Sequence, residues 1–194
     1  MINSNHTEII QMFIDKYNYK SYLEIGIEWA INYNAIKCDY KVGIDSNLEC
    51  ARLGENILTM TSDEYFHKNT RKFDLIFIDG LHESEQFAKD LIQSINSLNP
   101  IGTIIAHDVN PENFEQQIVP RGDRKVWTGD VWETWVYWKR RNQYLMYVID
   151  CDFGIGILQR RPDSKVNSLP ITWENFQANK KEWLNLTDKI FLED

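Results

Sequence analysis

Apolar positions along the chain fall into two kinds of run. Short, nearly continuous runs at 21–26, 41–45, 57–61, 73–79 and 102–108 predict strands, the third being the least marked. Continuity, rather than strict alternation with polar residues, is what a parallel strand covered on both faces requires. Between the last two runs Phe87, Leu91, Ile92, Ile95 and Leu98 recur at steps of three and four, which predicts a helix over 83–98 with one buried stripe. Asn99-Pro100-Ile101-Gly102 predicts a turn that stops it. Fainter helical patterns cover 5–17, 28–37 and 47–55. Alternation of strand and helix implies right-handed crossovers and an α/β fold with an open, doubly wound, mostly parallel sheet.

Beyond residue 130 the pattern changes. A helix is predicted over 131–141, then two strands at 144–150 and 154–159 joined by a tight turn. A tail comes next whose best helical segment is 172–183, with Trp173, Phe176 and Trp183 at helical steps. That apolar stripe suits either the sheet of its own chain or a partner subunit, so a homodimer stands as one of two readings.

Composition narrows the class. The 194 residues are 43% hydrophobic and 26% charged, a globular balance, and the length suits one domain over 1–194, with a core at about 20–160 and a C-terminal helical extension at about 163–194. No apolar stretch approaches the roughly 18 residues that a membrane span needs, so no membrane partner is expected. The opening Met1-Ile2-Asn3-Ser4-Asn5-His6 lacks the basic-then-apolar pattern of a secretory signal. Cys38, Cys50 and Cys151 form no C-x-x-C pair, which suits a reducing, cytoplasmic setting and argues against a cysteine zinc site. With 21 basic against 29 acidic side chains the net charge is −8, and a nucleic-acid partner is not expected.

Chemistry is expected outside the carboxyl ends of the parallel strands, where ligands bind in open α/β sheets. Acids stand at or just beyond five of those ends: Glu24, Asp45, Asp63, Asp79 and Asp108. Each also has a plain reading as a turn or capping residue. Gly26 after the first strand would let a ligand approach the backbone. Asp45, 19 residues further on, would offer two acceptor oxygens to a ribose. The dinucleotide pattern G-x-G-x-x-G is absent, since Glu28 and Trp29 come next, which points to a nucleoside ligand without a pyrophosphate; Glu24 in turn suits an ammonium or sulfonium group. Asp79 and Asp108, if their strands are neighbours, lie close enough for a divalent cation or a shared proton to offset their repulsion. Asn110 or water would complete an oxygen-rich shell suited to magnesium, calcium or manganese rather than zinc. His82, three residues after Asp79, would serve as a general base, the plain reading being that His82 and His107 pack locally. In the segment 126–138, Val131, Trp135 and Trp138 share a helical face that reads first as core. Trp127 and Asp130 just before it are candidates for an acceptor pocket.

Taken together, Tyr22-Leu23-Glu24-Ile25-Gly26, Gly43-Ile44-Asp45, Thr61-Ser62-Asp63-Glu64, Ile78-Asp79-Gly80-Leu81-His82 and His107-Asp108-Val109-Asn110-Pro111 resemble the class I S-adenosylmethionine-dependent methyltransferases, in the branch called methyltransferase domain family 24. The likeness runs from about Tyr22 to Ile157. It implies a Rossmann-like, seven-stranded sheet whose last strand is antiparallel, with helical additions at both ends. It implies methyl transfer to a hydroxyl oxygen of a small molecule such as a sugar or natural product. Glu24 and Gly26 would face the methionine part of S-adenosylmethionine, Asp45 the ribose, and Ser62 and Asp63 the adenine. The likeness to metal-dependent macrolide and catechol O-methyltransferases implies Mg2+ or another divalent cation on Asp79 and Asp108, with Asn110 or His107, and makes His82 and Asp79 the catalytic pair. Other readings of the same residues are an NAD-dependent oxidoreductase, with Asp45 on the NAD ribose, and a cofactor-binding or scaffold protein without catalysis.

Overall fold

A computed structural model describes residues 5–160 and 170–187. Its strands are β1 (Ser21–Ile25), β2 (Tyr40–Asp45), β3 (Ile57–Thr59), β4 (Phe73–Ile78), β5 (Leu98–Ala106), β6 (Leu145–Ile149), β7 (Ile155–Gln159) and β8 (Leu186–Thr187). They form one sheet in the order β3-β2-β1-β4-β5-β7-β6-β8. All neighbours are parallel except β7, which runs antiparallel to both β5 and β6. An antiparallel strand inserted between β5 and β6 departs from the 3-2-1-4-5-6 order of dinucleotide-binding sheets, which counts against the NAD reading. The expected seven strands are present, and the two-residue β8 adds an eighth beside β6.

Both faces of the sheet are covered, which explains the unbroken apolar runs. Leu23, Ile25, Ile76, Ile78, Ile104 and Ala106 point to one core. Tyr22, Leu75, Phe77 and Ile105, between them in sequence, point to the other. Helices α3 (Ser62–Lys68), α4 (Ser84–Ser97), α5 (Val131–Arg140) and α6 (Trp173–Trp183) pack on the first face; α1 (His6–Tyr17) and α2 (Ile31–Ala35) pack on the second. Tail residues Phe176 and Trp183 are buried against this chain's own α5 side, so the stripe on the tail covers its own fold. The parts of the expected C-terminal extension at 163–169 and 188–194 lie outside the described residues.

Three local expectations are corrected. Of the helix expected at 28–37, only Ile31–Ala35 forms, because Glu28 and Ala30 adopt left-handed backbone at φ 42° and 55° and break the preceding turn. Of the one at 47–55, a single 3-10 turn at Cys50–Arg52 remains. Instead of a turn at 99–102, β5 starts at Leu98, with a register shift against β4 between Phe73 and Leu75 that absorbs Pro100. Among the described residues, no helix is long and apolar enough to cross a membrane.

Candidate active site

The carboxyl ends of β1, β2, β4 and β5 open into one cleft of about 1060 Å³. Glu24, Gly26, Asp45, Ser62, Asp63, Asp79, His82, His107 and Asp108 all line it. Nine of the ten residues assigned above to cofactor, metal or proton transfer therefore face a common space. Asn110 does not: its amide nitrogen donates to Asp150 Oδ1 at 2.9 Å, and its backbone N–H donates to the Phe153 carbonyl. The turn of the β6–β7 hairpin thus takes both of its N–H groups, while its Oδ1 is buried without a hydrogen-bond partner.

The loop after β1 is built without the missing glycines. Gly26 has φ +81°, and a Cβ there would lie 2.0 Å from the Asp79 carbonyl oxygen. Only glycine lets the β1 and β4 loops meet so closely. Asp45 then shapes the residues beyond Gly26: its Oδ2 accepts from the backbone N–H of Ile27 and of Glu28, both at 3.0 Å, and its Oδ1 accepts from Asn47 N–H at 2.8 Å. The carboxylate that would hold a ribose thus also holds the loop, while Oδ1 keeps a lone pair for a hydroxyl.

Glu24 is almost fully buried on the cleft floor. Its Oε2 accepts from Tyr22 O–H at 2.6 Å and from the Asn32 amide at 3.0 Å. Burial outweighs these bonds and pushes its pKa up to about 7. Beside it, Asn32 Oδ1 is buried without a hydrogen-bond partner. An acid and an orphaned acceptor side by side fit the ammonium end of a bound amino acid moiety. At the other end of the cleft the Gln86 amide donates to Ser62 Oγ, Asp63 Oδ1 and Asp90 Oδ1. Asp90, on the buried stripe of α4, is pushed up to about 6 by burial. An acid one turn from Phe87 on an apolar face is the sequence signal for it.

Between the sheet ends lie the histidines. His82 Nε2 is 3.3 Å from Asp79 Oδ1, and its Nδ1 is 3.1 Å from Asp108 Oδ2. Nδ1–H also faces the Trp127 carbonyl at 3.2 Å, and the Trp127 ring stacks on the imidazole with centroids 5.3 Å apart. Gly129 makes this approach feasible: at φ +61°, a Cβ there would lie 1.6 Å from the His82 carbonyl oxygen. His107 Nδ1 is 3.2 Å from Asp79 Oδ1 and 3.5 Å from Asp108 Oδ2. Burial alone would lower both imidazole pKa values, but the facing carboxylates raise them above 6.5. Burial likewise works against Asp79, yet His107 and His82 hold it well below the ordinary carboxylate range. Asp79, His82 and Asp108 present ligand atoms within 4.8 Å of one another, a donor set of two carboxylates and one imidazole. That mixed set suits manganese better than magnesium.

Trp127 lines the cleft, whereas Asp130 accepts from Ser84 N–H at the start of α4. Val131 and Trp135 are core. Cleft residues that the sequence pattern does not single out include His6, Trp29, Arg121 and Lys125. Trp29 is 64% exposed, an unusual place for an indole.

Residues 33–109 match the family described as a methyltransferase domain, family 24. No curated protein matches the chain in sequence. Among solved structures, a Staphylococcus aureus protein assigned as a caffeoyl-CoA O-methyltransferase is 18% identical with a TM-score of 0.63, over 83% of this chain and 85% of that one. A methyltransferase of Podospora anserina, bound to S-adenosylhomocysteine, is 13% identical with a TM-score of 0.64, over 80% and 77% of the two chains. An O-methyltransferase of Streptomyces achromogenes involved in tomaymycin synthesis, in complex with S-adenosylmethionine, is 14% identical with a TM-score of 0.59, over 82% and 81%. Over residues 33–109 the chain is therefore similar to that methyltransferase domain, and its fold is the one these solved structures share.

Proposed function

We propose that this protein moves the methyl group of S-adenosylmethionine to a hydroxyl oxygen of a small molecule, with His82 as the general base. The observation that carries this reading is His82 standing between Asp79 and Asp108 on the wall of the cleft that also holds Glu24, Gly26 and Asp45. Two structures with this fold were solved with S-adenosylhomocysteine or S-adenosylmethionine, which supports the choice of methyl donor. Glu24 and Asn32 receive the ammonium end, Asp45 Oδ1 a ribose hydroxyl, and Ser62 with Asp63 the base. Bound there, the donor supplies an already activated methyl group, so the protein's part is alignment and proton removal.

The Nδ1–H of His82 is committed to Trp127 and Asp108, so Nε2 takes up the acceptor's proton. Asp79 and Asp108 stabilise the imidazolium that forms. A divalent cation held by Asp79, Asp108 and His82 would instead occupy His82 as a ligand, polarising an acceptor oxygen as a Lewis acid. Trp127 offers a flat apolar wall to a ring or sugar face.

His82→Ala is expected to lower methyl transfer by at least about 100-fold, read with labelled S-adenosylmethionine on a panel of hydroxylated sugars and phenols. Calorimetry should show S-adenosylhomocysteine binding unchanged. Because the resting pKa of His82 lies above 6.5, wild-type turnover should climb with pH above that value. Absence of S-adenosylhomocysteine binding by the wild-type chain would leave a scaffold role in its place.

A further inference from the structure

Behind His82 a second group of ligand atoms converges from three distant parts of the chain: His6 at the start of α1, His107 after β5, and Asp152 in the β6–β7 turn. His6 Nδ1 lies 2.6 Å from Asp152 Oδ2, and His107 Nε2 lies 3.6 Å from that same oxygen. The two imidazole rings meet edge-on with centroids 4.9 Å apart. We propose that these three side chains form a binding site for a divalent first-row transition ion, of which zinc is the natural probe, distinct from the Asp79–His82–Asp108 group.

Two observations point to a cation here and not merely to an ion pair. First, His107 Nε2 is buried and has no hydrogen-bond partner among the described residues. Second, the opposite nitrogen of the same ring faces the carboxylates of Asp79 and Asp108. With Nδ1–H given to a carboxylate, Nε2 is the nitrogen that gives up its proton when an ion binds, the arrangement that outer carboxylates impose on metal-binding histidines. A buried ring nitrogen without a hydrogen bond is costly, and a Lewis acid between His107, His6 and Asp152 would satisfy it on displacing the proton. The donor set, two imidazoles and one carboxylate, favours zinc or a neighbouring transition ion over magnesium or calcium.

The side chains can make the adjustment that loading needs. Donors about 2.0–2.1 Å from one tetrahedral ion stand roughly 3.3 Å apart, so His6 and Asp152 must separate by several tenths of an ångström. Their side chains are 25% and 24% exposed; the His6 ring stacks on Phe77, and Asp152 Oδ2 also accepts from the His6 backbone N–H at 2.9 Å, so the shift is taken up at the Asp152 carboxylate. Three protein ligands leave a fourth position, and His6 and His107 both line the cleft, so that position opens towards the site of methyl transfer. A loaded ion would also pin α1 to the β6–β7 turn across the end of β5. The site does not rest on the methyltransferase reading, because none of its three ligands is the proposed base and it needs no methyl donor.

The test is zinc chloride titration of the full chain against a chromogenic chelator, with cobalt(II) as a spectroscopic reporter. One equivalent of zinc is expected to bind the wild type, and cobalt should give the visible bands of a low-coordinate nitrogen–oxygen site. Asp152→Asn, which keeps the side chain's shape, and His6→Ala are each expected to weaken zinc by at least about tenfold. His82→Ala should change it by no more than about twofold. Wild-type protein that takes up no stoichiometric zinc would overturn the proposal. So would zinc lost in His82→Ala but retained in Asp152→Asn and His6→Ala, which would put the ion on the other group. S-adenosylhomocysteine calorimetry on the same preparations judges the methyltransferase reading separately.

Discussion

Glu24 has the most to lose from solvent exclusion and the most to gain from a bound cation. Its pKa is about 7 in the folded chain against 4.5 for an ordinary glutamate, with burial the main cause. Between those values the folded state holds a proton that the unfolded state has released, so stability falls as pH rises from about 4.5 to about 7 and stays at its lower level above. The span of about 2.5 pKa units corresponds to roughly 3 kcal/mol at most. Glu24→Gln keeps an acceptor for Tyr22 and Asn32 without the charge, so melting curves should show the variant several degrees above wild type at pH 8 and close to it below pH 4.5. An equal offset at both pH values would mean that the carboxyl does not titrate this way. The residues of the acid–histidine group are readable at this scale because their spacing is local: three residues set Asp79 against His82, and adjacent strand ends set Asp79 against Asp108. Asn110 belongs to the same motif but is captured by Asp150. His6 and Asp152, 146 positions apart, carry no local signal at all.

Elements are legible where one periodicity dominates and obscure where a single side chain decides. The helix expected over 83–98 forms as α4 on a buried stripe of Phe87, Leu91 and Ile95, with Ile92 exposed and Leu98 in β5, while the loop at 26–30 is shaped by Asp45 from the next strand, a contact that no short window of sequence reveals. Apolar periodicity also misses α3, although a different signal for it is present. Thr61-Ser62-Asp63-Glu64 is a capping box: Thr61 Oγ1 accepts from Glu64 N–H, and the Glu64 carboxylate accepts from Thr61 N–H. That box starts α3 directly beside Ser62 and Asp63, so it positions the end of the cleft proposed above for the adenine. Thr61→Ala is expected to cost about 1 kcal/mol in denaturant unfolding and to weaken S-adenosylhomocysteine binding modestly, whereas Thr61→Ser should restore both. Stability lost with binding untouched would separate the cap from the site.

For the whole molecule an open, mostly parallel sheet follows from the chain's alternation of strand and helix, but the insertion of β7 between β5 and β6 does not, nor does the role of the tail, since an apolar stripe fits its own chain and a partner equally well. In the fold, α6 lays Phe176 flat against Trp132 of α5, with centroids 4.2 Å apart, and Trp173 meets both rings. The Lys180 ammonium donates to the Pro111 carbonyl, in the segment just after Asp108. Trp132 in turn donates to Gln117, next to Gln116, whose carbonyl accepts from Thr128 and Gly129 in the loop that carries Trp127. The tail therefore belongs to the same core cluster as the central strands and stands behind the wall of the cleft. Truncating a fully buried aromatic costs about 3–5 kcal/mol, so Phe176→Ala should lower the melting temperature by on the order of 10 °C for a chain of this size. The decisive feature is the shape of the transition. If the tail and the sheet form one cooperative unit, the variant melts in a single step at the lower temperature, with far-ultraviolet and tryptophan signals coincident. A tail that merely decorates the domain would instead melt early and alone, leaving the main transition where the wild type has it.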